Sequence, residues 1–381
     1  MRTRAWRFRI YPSKSQEAIL AQHLLHCKEL WNRLLDCTKD CYKETGKFPT
    51  RQQLYAQTKG TPLFSQVAQN VADRLFKSIR GMLIKKRAGK IVGFPRFKPI
   101  ERMKSFAYPQ FGFKLGKRLM VSGLGGIQIK KHREIEGKIK TLTIKRMPSG
   151  KWFAVFTSEL DRMEVQKKDA SAVGLDLGIE HFAYLSDGAT VGNPRHLKCA
   201  EEKLADAQGC LSRKKKGGKN RGMARRMVAC LHEKLMNRRR DFLHKTSRKL
   251  VKKYSFIAME DLNTAGMAKG FLAKSVLDCG WAEFTAMLRY KAEEAGCEVV
   301  LVEPALTTQT CSSCGSVRKK SLAERWHKCA CGASMHRDFN AAINILRRAT
   351  LGHRGSNASE EGISTHQKWA NSFDERGGPG I

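Results

Sequence analysis

The chain has 381 residues, with 72 lysines and arginines against 35 aspartates and glutamates, a formal net charge of +37. Apolar residues make up 41% and are spread along most of the length, which excludes an intrinsically disordered chain and suits two or three domains with real cores. No run of about 18 uncharged apolar residues occurs, which argues against a membrane-spanning protein, and a charge this large calls for an acidic partner, nucleic acid above all.

In chain order, Trp6 to Tyr11 alternates apolar and basic residues and reads as a strand that Pro12 stops. The same alternation from Met1 to Ile10 lacks the apolar block of a signal peptide. Ser13-Lys-Ser-Gln16 is a capping-box pattern, and Leu20, Leu24, Cys27, Trp31, Leu34 and Leu35 then recur at helical steps. Further helices are predicted over 50–58 and 65–86, followed by a basic loop over 89–99. From Phe106 to Leu160 the pattern becomes that of strands, with a hairpin over 141–157 turning at Pro148-Ser-Gly150. Residues 1–165 thus read as a small β-barrel interrupted by a helical insertion, and 161–170 as a polar linker.

Beyond Ser171, Ala172 to Gly178 is a buried-type strand with a single carboxylate, and 180–186 is its hairpin partner. A long helical region is predicted over 201–253. Between Arg213 and Lys253 it holds 17 basic residues and two acidic ones, Glu233 and Asp241. A strand ending in Glu260, a helix over 278–296, a strand over 298–302 and a helix over 338–348 complete the folded part. Residues 351–381 read as a disordered tail.

Eight of the twelve cysteines lie singly, most of them among apolar neighbours, as reduced core thiols do. The other four form Cys311-Ser-Ser-Cys314 and Cys329-Ala-Cys331, two close pairs suited to a structural Zn²⁺, with Gly315 and Gly332 permitting the turn after each pair. His327 and His336 are alternative ligands. Three carboxylates form a second constellation. Asp176 lies inside an apolar strand, Glu260 ends another, and Asp338 opens a helix. Each alone can be a cap or a salt bridge, whereas together they suit a pair of Mg²⁺ ions for phosphodiester cleavage. The third constellation is basic: Arg213, Lys214, Lys215 and Lys216, then Arg238, Arg239 and Arg240, are dense enough for phosphate contacts.

The segments Gly174-Leu-Asp-Leu-Gly178, Met259-Glu-Asp-Leu-Asn263, Thr308-Gln-Thr-Cys-Ser-Ser-Cys-Gly315 and His336-Arg-Asp-Phe-Asn-Ala-Ala-Ile-Asn-Ile345 follow one another in this order. Over about residues 1–348 the chain resembles TnpB, the transposon-encoded RNA-guided DNA endonuclease family related to type V CRISPR effectors. The resemblance implies a multidomain α/β fold. A β-barrel wedge domain (1–12 and 105–165) would hold an inserted helical recognition domain (13–104). An RNase H-like RuvC nuclease domain (171–306 and 334–350) would follow, with an inserted zinc ribbon (307–333). It implies Asp176, Glu260 and Asp338 as the catalytic, Mg²⁺-binding triad. Family strings of the form Asp-Arg-Asp use the second acid, so His336 in place of the first leaves Asp338 in role.

The implied partners are a guide RNA from the transposon end and double-stranded target DNA, with one protein copy per guide and a prokaryotic cytosol or nucleoid as the location. A short target-adjacent motif would be read by the recognition and wedge domains. By position, Gln69, Asn70, Tyr108 and Gln110 are the expected base readers, since glutamine and asparagine can pair bidentately with adenine. The competing readings are a nuclease-inactive RNA-guided repressor and a DNA transposase. The complete acid triad weighs against the repressor. The absence of any His-x-His pair weighs against a tyrosine transposase, and the basic helix and ribbon weigh against a DDE enzyme.

Overall fold

A computed structural model describes residues 2–161, 170–321 and 324–354. They divide into two compact units, one within residues 1–163 and 213–230, the other within 164–212 and 231–381. No helix among the described residues is long and apolar enough to cross a membrane.

The first unit is built on a seven-stranded antiparallel sheet of β1 (Arg2–Tyr11), β2 (Ser105–Tyr108), β3 (Phe113–Leu115), β4 (Arg118–Val121), β5 (Gly125–Lys130), β6 (Lys138–Arg146) and β7 (Trp152–Leu160), in the order β2-β6-β7-β1-β5-β4-β3. Strand alternation turns Trp6, Phe8, Ile10, Phe106, Tyr108, Leu142, Ile144, Trp152, Ala154 and Phe156 onto one face, where they form the core. Side chains bridge the two edge strands. Tyr108 of β2 lies 6.4 Å from Phe113 of β3, ring to ring, and Phe113 lies 6.2 Å from Phe156. The sheet therefore curls into a near-barrel closed by aromatic packing.

Between β1 and β2 come α1 (Lys14–Thr45), α2 (Arg51–Ala56) and α3 (Ser65–Arg87). The capping box at the start of α1 forms as its sequence dictates, Ser13 Oγ accepting from Gln16 N at 3.2 Å and Gln16 Oε1 accepting from Ser13 N at 3.1 Å. Gln16 Nε2 also donates to the carbonyls of Leu124 and Gly126, both at 3.2 Å, and so ties the helix start to the sheet. Gly46 ends α1 in the left-handed conformation.

The second unit holds a five-stranded sheet of β8 (Ala172–Leu177), β9 (His181–Leu185), β10 (Thr190–Gly192), β11 (Phe256–Glu260) and β12 (Glu298–Val302), in the order β10-β9-β8-β11-β12. β8, β9 and β10 pair antiparallel, and β11 runs parallel to both β8 and β12. This is the RNase H arrangement. Its helices are α4 (Glu201–Ser212), α5 (Lys219–Lys253) from residue 231 onward, α6 (Thr264–Met267), α7 (Ala273–Cys279), α8 (Trp281–Ala295) and α9 (Arg337–Arg354), and a small hairpin of β13 (Trp326–Lys328) and β14 (Ser334–His336) precedes α9.

The structure corrects two expectations. The helical region over 201–253 is two helices, and the basic run Arg213–Lys216 lies in the turn between them. Residues 213–230 group with the first unit. Arg226 Nε donates to Ser149 O at 2.9 Å at the β6–β7 turn, and Gly150 leaves room for that guanidinium, to which a Cβ would come within 3.0 Å. Finally, α9 runs on to Arg354, past the expected start of the tail at 351, because its apolar face continues through Ala349. The rest of the tail and most of the 161–170 linker lie outside the described residues.

Candidate nuclease centre and metal ribbon

Three elements bring the carboxylates together. β8 is central in its sheet and carries Asp176, which is 8% exposed. The parallel neighbour β11 ends at Glu260. α9 packs across the sheet and carries Asp338, 7% exposed, in its first turn. Gly174 makes that packing possible. A Cβ there would stand 2.0 Å from Ala342 O and 2.9 Å from Leu346 N, so only glycine lets the helix backbone approach the strand this closely. Ser186 of the neighbouring hairpin fixes Gly174 from the other side, with Gly174 N donating to Ser186 Oγ and Ser186 N to Gly174 O, both at 3.0 Å.

The electrostatics follow from this convergence. Burial first, then the charges of Glu260 and Asp338, push the Asp176 carboxyl well above the usual carboxylate range, with Arg337 opposing. Burial also raises Glu260, against the hydrogen bond that Thr307 Oγ1 donates to its Oε1 at 2.6 Å and the charge of Arg348. Arg337 Nε pairs with Asp338 Oδ1 at 3.0 Å. A desolvated cluster of like charges made of hard oxygen donors is the donor set that suits divalent cations.

Two asparagines that the sequence string contained but did not assign hold the neighbouring segment. Asn340 and Asn344 lie one turn apart on the buried face of α9. Asn344 Nδ2 donates to the carbonyls of Thr307 (2.9 Å) and Thr310 (2.7 Å). Asn340 Nδ2 donates to Thr310 O at 2.7 Å, and its Oδ1 accepts from Ser312 N at 2.8 Å. The helix that carries Asp338 thus also fixes the segment carrying Thr307, the partner of Glu260, and leads that segment into the first cysteine pair. Asparagines four apart among Ala341, Ala342 and Ile345 were the available signal.

The ligand sulfurs of Cys311, Cys314, Cys329 and Cys331 all lie within 4.8 Å of one another. Gly315 and Gly332 have φ of +78° and +89°, the left-handed turns that each knuckle requires. Ser316 Oγ stands 3.1 Å from Cys314 Sγ and 3.2 Å from Cys329 Sγ and lowers the pKa of both thiols, while the neighbouring sulfurs push Cys331 up, so it is the spacing of the four sulfurs that argues for a metal. The alternative histidine ligands lie elsewhere. His327 is buried against Lys320, and His336 stacks on Tyr184 at 4.7 Å beside Asp338.

The expected nucleic-acid residues separate into groups. Gln69 and Gln110 are exposed, and Asn70 is partly so. Gln66, unassigned by sequence, positions Gln110 by accepting from the amides of Gln110 (3.2 Å) and Phe111 (2.8 Å). Tyr108 is fully buried in the near-barrel core and cannot read a base. Its ring shares the inward parity of Phe106. Arg213, Lys214, Lys215, Lys216 and Arg238 are exposed. Arg239 is held by Asp278 (3.0 Å) and Arg240 by Glu283 (2.7 Å), which ties α5 to α7 and α8 and leaves less of their charge for phosphates.

Residues 155–270 match a family model described as "Probable transposase", 281–345 one described as "Cas12f1-like, TNB domain", and 1–47 one described as "Helix-turn-helix domain". In this chain residues 2–47 form β1 and one uninterrupted helix, α1. A Streptomyces pristinaespiralis protein named "Putative RNA-guided DNA endonuclease" is 32% identical over 357 residues, covering 90% of this chain and 88% of that protein. The chain belongs to the TnpB family. The Escherichia coli K12 member "Putative RNA-guided DNA endonuclease InsQ" is 30% identical over 381 residues, covering 91% of this chain and 92% of its own length. A cryo-EM structure described as the Cas12f1–sgRNA–target DNA complex shares the fold at a TM-score of 0.59 and 14% identity, covering 88% of this chain and 83% of that one.

Proposed function

We propose that this TnpB-family chain is an RNA-guided DNA endonuclease whose cutting centre is the trio Asp176, Glu260 and Asp338. The observation that carries this is the convergence of three carboxylates from β8, β11 and α9, close enough that Glu260 and Asp338 both raise the Asp176 pKa. Gly174 seats α9 on β8, and Thr307 Oγ1 donates a hydrogen bond that orients the Glu260 carboxylate. The donor set fits a pair of Mg²⁺ ions, and the chemistry supplied on their binding is activation of a water for in-line attack and charge neutralisation at the leaving oxygen. The four thiols fit Zn²⁺ with no open position, a structural role that keeps the ribbon seated before α9.

The partners are RNA and DNA. A guide RNA from the transposon end would supply sequence specificity by pairing, with one protein copy per guide. Gln69, Asn70 and Gln110 of the first unit are the candidates to read a short motif beside the target, and Arg213–Lys216 and Arg238 to hold phosphates. The domain limits proposed are a wedge over 1–12 and 105–165, recognition helices over 13–104, nuclease over 171–306 and 334–350, and ribbon over 307–333. Asp176→Ala, assayed with guide RNA and Mg²⁺ on a matched plasmid, should bind the target without cutting it. Continued double-strand cleavage by this variant would overturn the assignment, and wild-type binding without cleavage would favour the repressor reading.

A further inference from the structure

A ladder of aromatic rings leads away from the carboxylates. Tyr184 is the cross-strand partner of Asp176 in the β8–β9 register. Its ring stacks on His336 at 4.7 Å with 14° between planes, and His336 meets Trp326 edge to face at 6.3 Å and 89°. His336 is itself fixed, its Nδ1 accepting from Asp338 N at 3.3 Å. Trp326, at the end of the ladder, is 51% exposed. Its Nε1–H donates to Ser334 Oγ at 2.8 Å across the β13–β14 hairpin, and the residue pairs with His336 in the ladder of that hairpin. The indole is thus held rigid while half of it stays bare.

Its surroundings indicate what covers it. Trp326 and Lys328 share the exposed face of β13 while His327 turns inward. Arg318, Lys319 and Arg325 are exposed on the same segment; Arg318 pairs with Glu324 at 3.1 Å and Arg325 with Glu180 at 3.8 Å, but both pairs lie in solvent, where such bridges are weak. A flat aromatic rimmed by cations complements a polyanion that carries its own flat rings, which is an unpaired nucleic-acid strand. Every base offers a π-face, so such a platform holds a strand without reading its sequence.

Resting on the nuclease reading above, we propose that Trp326 stacks a base of the unpaired DNA strand and thereby sets which phosphate lies at Asp176, Glu260 and Asp338. Trp326 is a positioning residue. It acts by fixing the strand's register, and the ring ladder of His336 and Tyr184 braces it against β9, the strand paired with that of Asp176, and against the residue just before the helix that carries Asp338.

The test uses the guide-RNA complex and a target whose cut strand carries one abasic nucleotide, moved a position at a time through the cut region. Wild type should lose about 5- to 100-fold in cleavage at one abasic position, the range expected for a lost base–aromatic stack. Trp326→Leu should show a similar loss on the intact strand, scatter its cut positions and become indifferent to that abasic site. Trp326→Tyr should recover most of the rate. Zinc content and melting temperature report whether each variant folds, and should Trp326→Leu not fold, the wild-type abasic scan alone decides. A parallel measurement on the cleavage-dead Asp176→Ala complex, the affinity for a short single-stranded oligonucleotide, should show the same factor when Trp326→Leu is added. An abasic scan without a sensitive position, or a folded Trp326→Leu that cuts like wild type at the same phosphates, overturns the proposal. A wild-type complex that cuts no guided target overturns the nuclease reading instead, and the oligonucleotide affinities then judge the stacking platform on its own.

Discussion

Gly174→Ala should disarm the centre without altering a single carboxylate. The added Cβ would stand 2.0 Å from Ala342 O, where even the tightest real Cβ contacts begin near 3.0 Å, so one partner must retreat by about 1 Å. β8 is pinned on both sides, by β9 with the Ser186 bonds and by β11, so α9 is the partner that yields. Overpacking of this kind costs about 1–3 kcal/mol, which in a unit of this size lowers the melting temperature by roughly 3–10 °C. The larger effect is on rate, because α9 carries Asp338, and a misplacement of about 1 Å at a reacting centre costs on the order of 100-fold. The assay is guided plasmid cleavage at a temperature where the melting curve shows the variant folded, with guide-RNA binding measured alongside. Wild-type cleavage together with a wild-type melting temperature would refute the claim that the glycine seats the helix.

Three further outcomes follow from the same geometry. Because the native pKa of Asp176 is raised, the fold favours its protonated form, and ionisation costs stability as pH rises through that pKa. Asp176→Asn should therefore raise the melting temperature at pH 7 without added Mg²⁺ and lose this advantage at pH 3, and scanning calorimetry at the two pH values checks the sign. Asn344→Ala removes the donor to Thr307 O and Thr310 O in a buried site, so about 1–3 kcal/mol of stability should go, and urea titration with a cleavage assay should show both quantities falling. Lys291 is buried on α8, donating to His244 O (2.8 Å) and Ser247 Oγ (2.7 Å), and burial, with Arg248 nearby, lowers its pKa to about 8. The unfolded chain therefore binds more protons than the fold between pH 8 and 10, and stability should rise with pH across that window. Lys291→Met should flatten this rise, as denaturation midpoints at pH 7.5 and 9.5 would register.

Much of the site was legible because its signals are local. The cysteine spacing names its own geometry, and a lone acid in an apolar strand announces that something must compensate it. What misled were features whose partners lie far along the chain. Arg239 and Arg240 look like phosphate ligands until Asp278 and Glu283, some 40 residues on, are seen to hold them. Gly174 stands in a glycine-flanked strand segment, and the helix that needs it comes more than 160 residues later. Tyr108 is the instructive exception, since its parity with Phe106 along one strand already placed it inward. The turn at Arg213–Lys216 was hidden by composition, because lysine and arginine are good helix formers and Gly217 and Gly218 alone mark the break.

The position of β1 in its sheet has a consequence for how the protein is made. Arg2–Ile10 pairs with Trp152–Leu160, and Arg9–Tyr11 with Gln128–Lys130, so the first strand of this unit in chain order sits between two of its last. During translation β1 meets its short partner β5 only after about residue 130 and its long partner β7 only after about residue 160, and the intervening helices, whose contacts are local, can form first. The candidate carboxylate trio is later still, because Asp338 lies on α9, the last described helix, so the first sheet can form well before that trio is complete.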